Sequence, residues 1–160
     1  MNYADKRVLI IEDQRPFLLV LRGLLHSMGA TEVVTKSSAE QALSLCRKRK
    51  FDIIISDLHL GSDKKNGFEF IEELRSQKLA KPSAIVMLIS ADSTRPFVLG
   101  SIDRGPDDYL IKPFDLSELS ARVAAVARRY RGNPNPRIQV GNLEVDLRDH
   151  RIQRNGQPVE

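Results

Sequence analysis

The chain has 160 residues, 41% of them hydrophobic and 29% charged, with a formal net charge of +4. That mix fits one globular domain with room for an appendage and excludes a disordered or fibrous chain. Cys46 is the only cysteine, which excludes an intramolecular disulfide, and no run approaches the ~20 apolar residues of a membrane span.

Val8, Leu9, Ile10 and Ile11 form an apolar run without polar alternation, as expected of a strand covered on both faces. Glu12 and Asp13 end that run too early for a signal peptide, so the expected setting is the cytoplasm, with no membrane partner. Residues 16–28 carry Phe17, Leu18, Leu21, Leu24, Leu25 and Met28 at helical spacing and stop at Gly29. Residues 32–35 predict a short β-branched strand, and Ser38 opens a second helix carrying Ala42, Leu43 and Leu45. Residues 51–56, centred on Ile53, Ile54 and Ile55, predict a third strand. Residues 67–77 predict a helix with Phe68, Phe70, Ile71 and Leu74, and residues 84–89 a fourth strand. A weaker helix is expected between Arg95 and Ile102, where Pro96 suits the first turn and Gly100 weakens the middle. Residues 109–111 predict a fifth strand. Residues 116–130 predict a strong last helix, with Leu116, Leu119, Val123, Val126 and Tyr130 on one stripe.

Strand and helix thus alternate five times. That order predicts an α/β fold: a doubly wound, five-stranded parallel sheet with helices on both faces and right-handed crossovers. Residues 132–137, rich in proline and asparagine, read as a linker after a domain spanning residues 1–131. Beyond it the pattern changes. Residues 138–147 alternate, with Leu143, Val145 and Leu147 on one face, and Asn155-Gly156 is a hairpin turn signal. Residues 138–160 therefore predict a short antiparallel β segment with too few apolar residues for a core of its own.

In a sheet of this kind ligands bind at the carboxyl ends of the strands. Those ends carry Glu12 and Asp13, then Asp57, then Ser90, then Lys112. Three carboxylates brought together repel one another unless a cation lies among them, and hard oxygen ligands suit magnesium. Asp57 can then attack phosphorus as a nucleophile, while Lys112 and Ser90 meet the phosphoryl oxygens. The modest net charge gives no reason to infer nucleic-acid binding.

Four motifs carry a family resemblance: Leu9-Ile10-Ile11-Glu12-Asp13; Ile55-Ser56-Asp57-Leu58; Ile89-Ser90-Ala91; and Asp107-Asp108-Tyr109-Leu110-Ile111-Lys112-Pro113-Phe114. In order and spacing they resemble the receiver domain of two-component response regulators, over about residues 6–129. The resemblance implies a flavodoxin-like strand order 2-1-3-4-5. It implies Asp57 as phosphoacceptor and Mg2+ held by Asp13, Asp57 and the backbone carbonyl of His59, with Glu12 helping. It implies Ser90 and Tyr109 as switch residues, a cis Lys112-Pro113 bond, and a sensor histidine kinase or histidine phosphotransfer domain as donor. Phe17 and Leu18 stand where receivers meet that donor, so one of them is expected to be exposed. The chain is then a phosphoacceptor switch rather than an enzyme. It departs from the family pattern after Asp57: Gly61 stands where a proline is usual, and Gly67 comes ten residues after the acceptor, making the loop about two residues longer. An aspartyl-nucleophile hydrolase of the haloacid-dehalogenase type would need an aspartate at position 59, which is His.

Residues 138–160 resemble the opening strands of an OmpR/PhoB-type winged-helix domain, without its recognition helix. That resemblance implies transcriptional output, with DNA as a partner only through a complete effector domain. It also implies a homodimer through the face made by the fourth predicted helix, the fifth strand and the last helix, with Asp108 and Arg122 at the interface. The alternative is a stand-alone or protein-binding receiver without DNA output.

Overall fold

The computed structural model describes residues 2–61, 64–91, 105–131, 137–140, 142–146 and 151–159. The chain divides into two compact units, Met1–Val123 and Ala124–Glu160. The first is built on five parallel strands, β1 (Arg7–Ile11), β2 (Glu32–Lys36), β3 (Ile53–Asp57), β4 (Ile85–Ser90) and β5 (Asp108–Ile111). Their order is β2-β1-β3-β4-β5, the doubly wound arrangement expected from the alternation of elements. The helices are α1 (Arg15–Ser27), α2 (Ala39–Lys48), α3 (Gly67–Ser76) and α4 (Leu116–Arg131). The helix expected between Arg95 and Ile102 lies outside the described residues.

The apolar runs are strands because both of their faces are covered. Val8, Leu9, Ile10 and Ile11 are fully buried, as are Ile54, Ile55, Val86, Met87, Leu88 and Ile89. Successive side chains point to opposite faces. Leu9, Ile11, Ile54, Val86 and Leu88 share one face, packed with Ala42, Leu43 and Cys46 of α2 and Phe70, Ile71 and Leu74 of α3. Each fully buried leucine, isoleucine or phenylalanine contributes about 1.5–3 kcal/mol.

The helix starts are set by side chains. The Ser38 hydroxyl accepts the Gln41 amide at 3.2 Å and begins α2. Asn66 and Glu69 form a reciprocal capping box that begins α3.

The amino edge of the sheet is tied by matched charges. Asp52 Oδ2 accepts the Arg7 amide at 2.8 Å and Asp52 Oδ1 accepts from Lys81 Nζ at 2.8 Å. Asp107 Oδ2 accepts the Val86 amide at 2.7 Å and lies 3.4 Å from the Arg75 guanidinium. Glu32 pairs with Arg7 and Arg49. Burial pulls the Asp52 carboxyl upward, but the Arg7 amide and the Lys81 ammonium more than offset it and hold it below its ordinary value.

The second unit contains a four-stranded antiparallel sheet, β6 (Arg137–Val140), β7 (Leu143–Asp146), β8 (Arg151–Arg154) and β9 (Gln157–Pro158), in that spatial order. The alternating run expected over residues 138–147 is thus two paired strands. Their register aligns Ile138, Val145 and Ile152. Asn155 and Gly156 have φ of 51° and 80°, the left-handed turn that their sequence signals. Residues 132–136 of the expected linker lie outside the described residues, and β6 begins at Arg137. No helix among the described residues is long and apolar enough to cross a membrane.

Candidate functional site

Strand register explains why distant residues meet. Ile11 pairs with Ser56, so Glu12 falls level with Asp57 at the next position. Asp57 pairs with Ile89, one residue before Ser90, and Ser90 pairs with Ile111, one residue before Lys112. Parallel strands cut off at the same level deliver five polar side chains to one rim.

Carboxylate oxygens of Glu12, Asp13 and Asp57 all lie within 4.8 Å of one another. Glu12 is fully buried, Asp57 nearly so, and Asp13 is exposed. The Lys112 ammonium lies 3.1 Å from Glu12 Oε2 and 3.1 Å from Asp57 Oδ2. One ammonium against three carboxylates leaves the pocket with excess negative charge. Burial pushes the Glu12 carboxyl up to about 7, and the neighbouring Asp57 charge pushes the same way; the Gln14 amide and Lys112 only partly offset them. A hard divalent cation fits this donor set: clustered carboxylate oxygens, unbalanced charge, and one ligand open to water.

Lys112 has a further partner that sequence reasoning missed. Its Nζ lies 3.9 Å from the centre of the Phe17 ring, and Phe17 meets Phe114 edge-on at 5.9 Å between centroids and 86° between planes. The signal available in the sequence was an aromatic residue four positions after Asp13 and another two after Lys112. Phe17 and Leu18 are both half-buried; the exposed large apolar side chains of α1 are Leu19 and Val20.

Gly67 closes the site from behind. A Cβ at this position would stand 2.4 Å from the Asp57 carbonyl oxygen and 2.7 Å from Leu88 Cδ1, so only glycine fits. Its amide donates to the Leu58 carbonyl at 2.8 Å. The chain thus has a glycine set against the Asp57 end of β3.

Ser90 is fully buried, and the Lys112 amide donates to its carbonyl at 2.8 Å. The Lys112-Pro113 peptide is cis. Tyr109 is 3% exposed and packs in the core cluster. His59, two residues after Asp57, has its side chain exposed. Asp108 and Arg122 pair with each other within the chain at 3.3 Å. The site calls for no chemistry from Cys46, whose thiol burial pushes up to about 11.

Residues 8–124 match the family model for the response regulator receiver domain. The chain is 37% identical to the response regulator protein PmrA of Pseudomonas aeruginosa over 156 residues, covering 96% of this chain and 67% of that one. It is 31% identical to the DNA-binding response regulator MtrA of Mycolicibacterium smegmatis, covering 99% of this chain and 67% of that one. Among solved structures, a Francisella response regulator receiver domain superposes with a TM-score of 0.68 at 24% identity, covering 79% of this chain and all of that one.

Proposed function

The chain belongs to the response regulator receiver family, and from that premise we propose that it is a phosphorylation-controlled regulator whose phosphoacceptor is Asp57. The donor is a sensor histidine kinase or a histidine phosphotransfer domain. The observation that carries the reading is the Lys112 ammonium held 3.1 Å from an Asp57 oxygen beside two further carboxylates.

An Asp57 oxygen forms a bond to phosphorus while the bond from phosphorus to the donor imidazole nitrogen breaks, and the imidazole keeps the electron pair. Lys112 exchanges its contact with the carboxylate for one with a phosphoryl oxygen, and the Ser90 hydroxyl meets another. Asp13, Asp57 and the His59 carbonyl, helped by Glu12, would hold Mg2+, which supplies compensating positive charge when bound. The protein is altered in each round rather than returned, so it acts as a switch and not as a conventional enzyme.

The new charge, about −2 at neutral pH, draws Ser90 toward the phosphate. Tyr109 responds, and the face containing β5 and α4 changes its partners, with Asp108 and Arg122 exchanging their mutual pair for contacts in a homodimer. We assign residues 1–131 to the receiver, 132–137 to a linker, and 138–160 to the opening strands of a winged-helix effector domain. Support for transcriptional output comes from the matches to regulators, one of them named DNA-binding, that run through both units. The reading places the protein in the cytoplasm.

The test is incubation with phosphoramidate and Mg2+, followed by intact mass and peptide mapping. Wild type gains one phosphoryl group at Asp57 and Asp57→Asn gains none; equal labelling of both would overturn the reading.

A further inference from the structure

The Lys112 ammonium has three protein neighbours among the described residues, and only two are anions. Glu12 and Asp57 approach at 3.1 Å, and the face of Phe17 lies 3.9 Å from the nitrogen. The Lys112 side chain is 19% exposed, so little water remains to compete for the charge. An aromatic face attracts a cation through its quadrupole, and the attraction strengthens as water is removed. Phe17 comes from the first turn of α1, while Phe114 follows Lys112 itself by two residues and meets Phe17 nearly perpendicular, at 86°. The ring is thus braced by the segment that carries the lysine.

The three contacts differ in what happens to them during phosphoryl transfer. The Asp57 oxygens lose charge as one of them bonds to phosphorus. Glu12 is shared with the proposed cation site. The Phe17 face neither ionises nor binds metal, so it offers the ammonium the same attraction before and after transfer. An aliphatic side chain would fill the space without that attraction.

We propose that Phe17, braced by Phe114, is a positioning residue that holds the Lys112 ammonium over the pocket while its anionic partner changes from carboxylate to phosphoryl. This rests on Asp57 being the phosphoacceptor. It assigns to Phe17 a role beyond packing, one that depends on its aromatic face.

The experiment uses the full chain with phosphoramidate and Mg2+, in wild type, Phe17→Leu and Phe17→Tyr. Three quantities are read: the labelling rate of Asp57, the Mg2+ affinity by calorimetry, and the proton shift of the Lys112 ε-methylene, assigned by its loss in Lys112→Arg. Phe17→Leu should slow labelling about threefold to tenfold, and Phe17→Tyr should stay within about twofold of wild type. Mg2+ affinity should be unchanged in both variants. The Lys112 ε-methylene signal, shifted upfield by the ring, should move downfield in Phe17→Leu and hold in Phe17→Tyr. Wild-type labelling in Phe17→Leu would overturn the proposal. So would a loss explained by weaker Mg2+ binding, or a Phe17→Tyr variant as slow as Phe17→Leu. If wild type itself takes no label, the phosphoacceptor reading fails and this role falls with it. If wild type labels and the Phe17 variants match it, only this role fails.

Discussion

The two edges of the parallel sheet use the same residue types to opposite ends. At the amino edge every named carboxylate has a cation: Asp52 has Lys81, Asp107 has Arg75, and Glu32 has Arg7 and Arg49. At the carboxyl edge Glu12, Asp13 and Asp57 cluster together, and the Lys112 ammonium pairs with Glu12 and Asp57. The pKa shifts follow. Asp52 is held below the ordinary carboxylate value, and Glu12 is pushed up to about 7. One edge is closed by balanced pairs and adds stability. The other is left with unmatched negative charge, which costs stability and gives an incoming cation something to bind.

The strongest way to break this comparison is to disturb the backbone that holds the unmatched edge in place. Gly67→Ala would drive a methyl group into the Asp57 carbonyl, and the expected loss is about 3 kcal/mol in chemical denaturation. A loss below about 1 kcal/mol would mean that the glycine is not a tight stop.

Asp52→Ala should cost about 2 kcal/mol, because it removes a charged partner from both the Arg7 amide and Lys81. The sign with pH follows from the lowered carboxyl. Its contribution is present above the unfolded value near 3.8 and disappears as pH falls through the lower folded value. Wild type and Asp52→Ala should therefore converge in stability in strong acid.

Glu12→Gln should do the reverse and gain on the order of 1 kcal/mol above neutrality in metal-free buffer. Wild-type Glu12 favours folding fully below its unfolded value of 4.5, and that contribution is lost as pH rises through about 7. The stability profile between these values should flatten in Glu12→Gln. A profile equally steep in both proteins would remove Glu12 as the strained group.

Glu32→Ala should have the smallest effect, below about 1 kcal/mol, because its pairs are more than a third exposed. Cys46 gives an independent readout for the series. Buried and with its thiol held near 11, it should react with a disulfide reagent only when the chain opens, faster as stability falls.

The strands and the rim were legible because each rests on local pattern and chain order, while the strand order 2-1-3-4-5 came from the family resemblance. Ile53-Ile54-Ile55 reads as a buried strand without any partner in view, and the residue after each apolar run is fixed once the strands are parallel. The Phe17 ring over Lys112 was not legible, since α1 and the segment after β5 meet only through the crossovers. The amino-edge pairs were hidden for the same reason: Asp52 and Lys81 look like ordinary surface charges until β3 and β4 lie side by side. Gly67 was noticed for its unusual distance from Asp57, but its role came from a carbonyl that sequence does not place.

The hydrogen bond from the Gly67 amide to the Leu58 carbonyl fastens the two ends of the stretch between them at a single point. The capping box at Asn66 starts the following helix from its own side chains. A tether closed by the Gly67-to-Leu58 bond has its end separation fixed whatever its length. Doubling such a tether costs only about 0.6 kcal/mol in closure entropy. By that arithmetic two extra residues in the span leave Asp57 where it is.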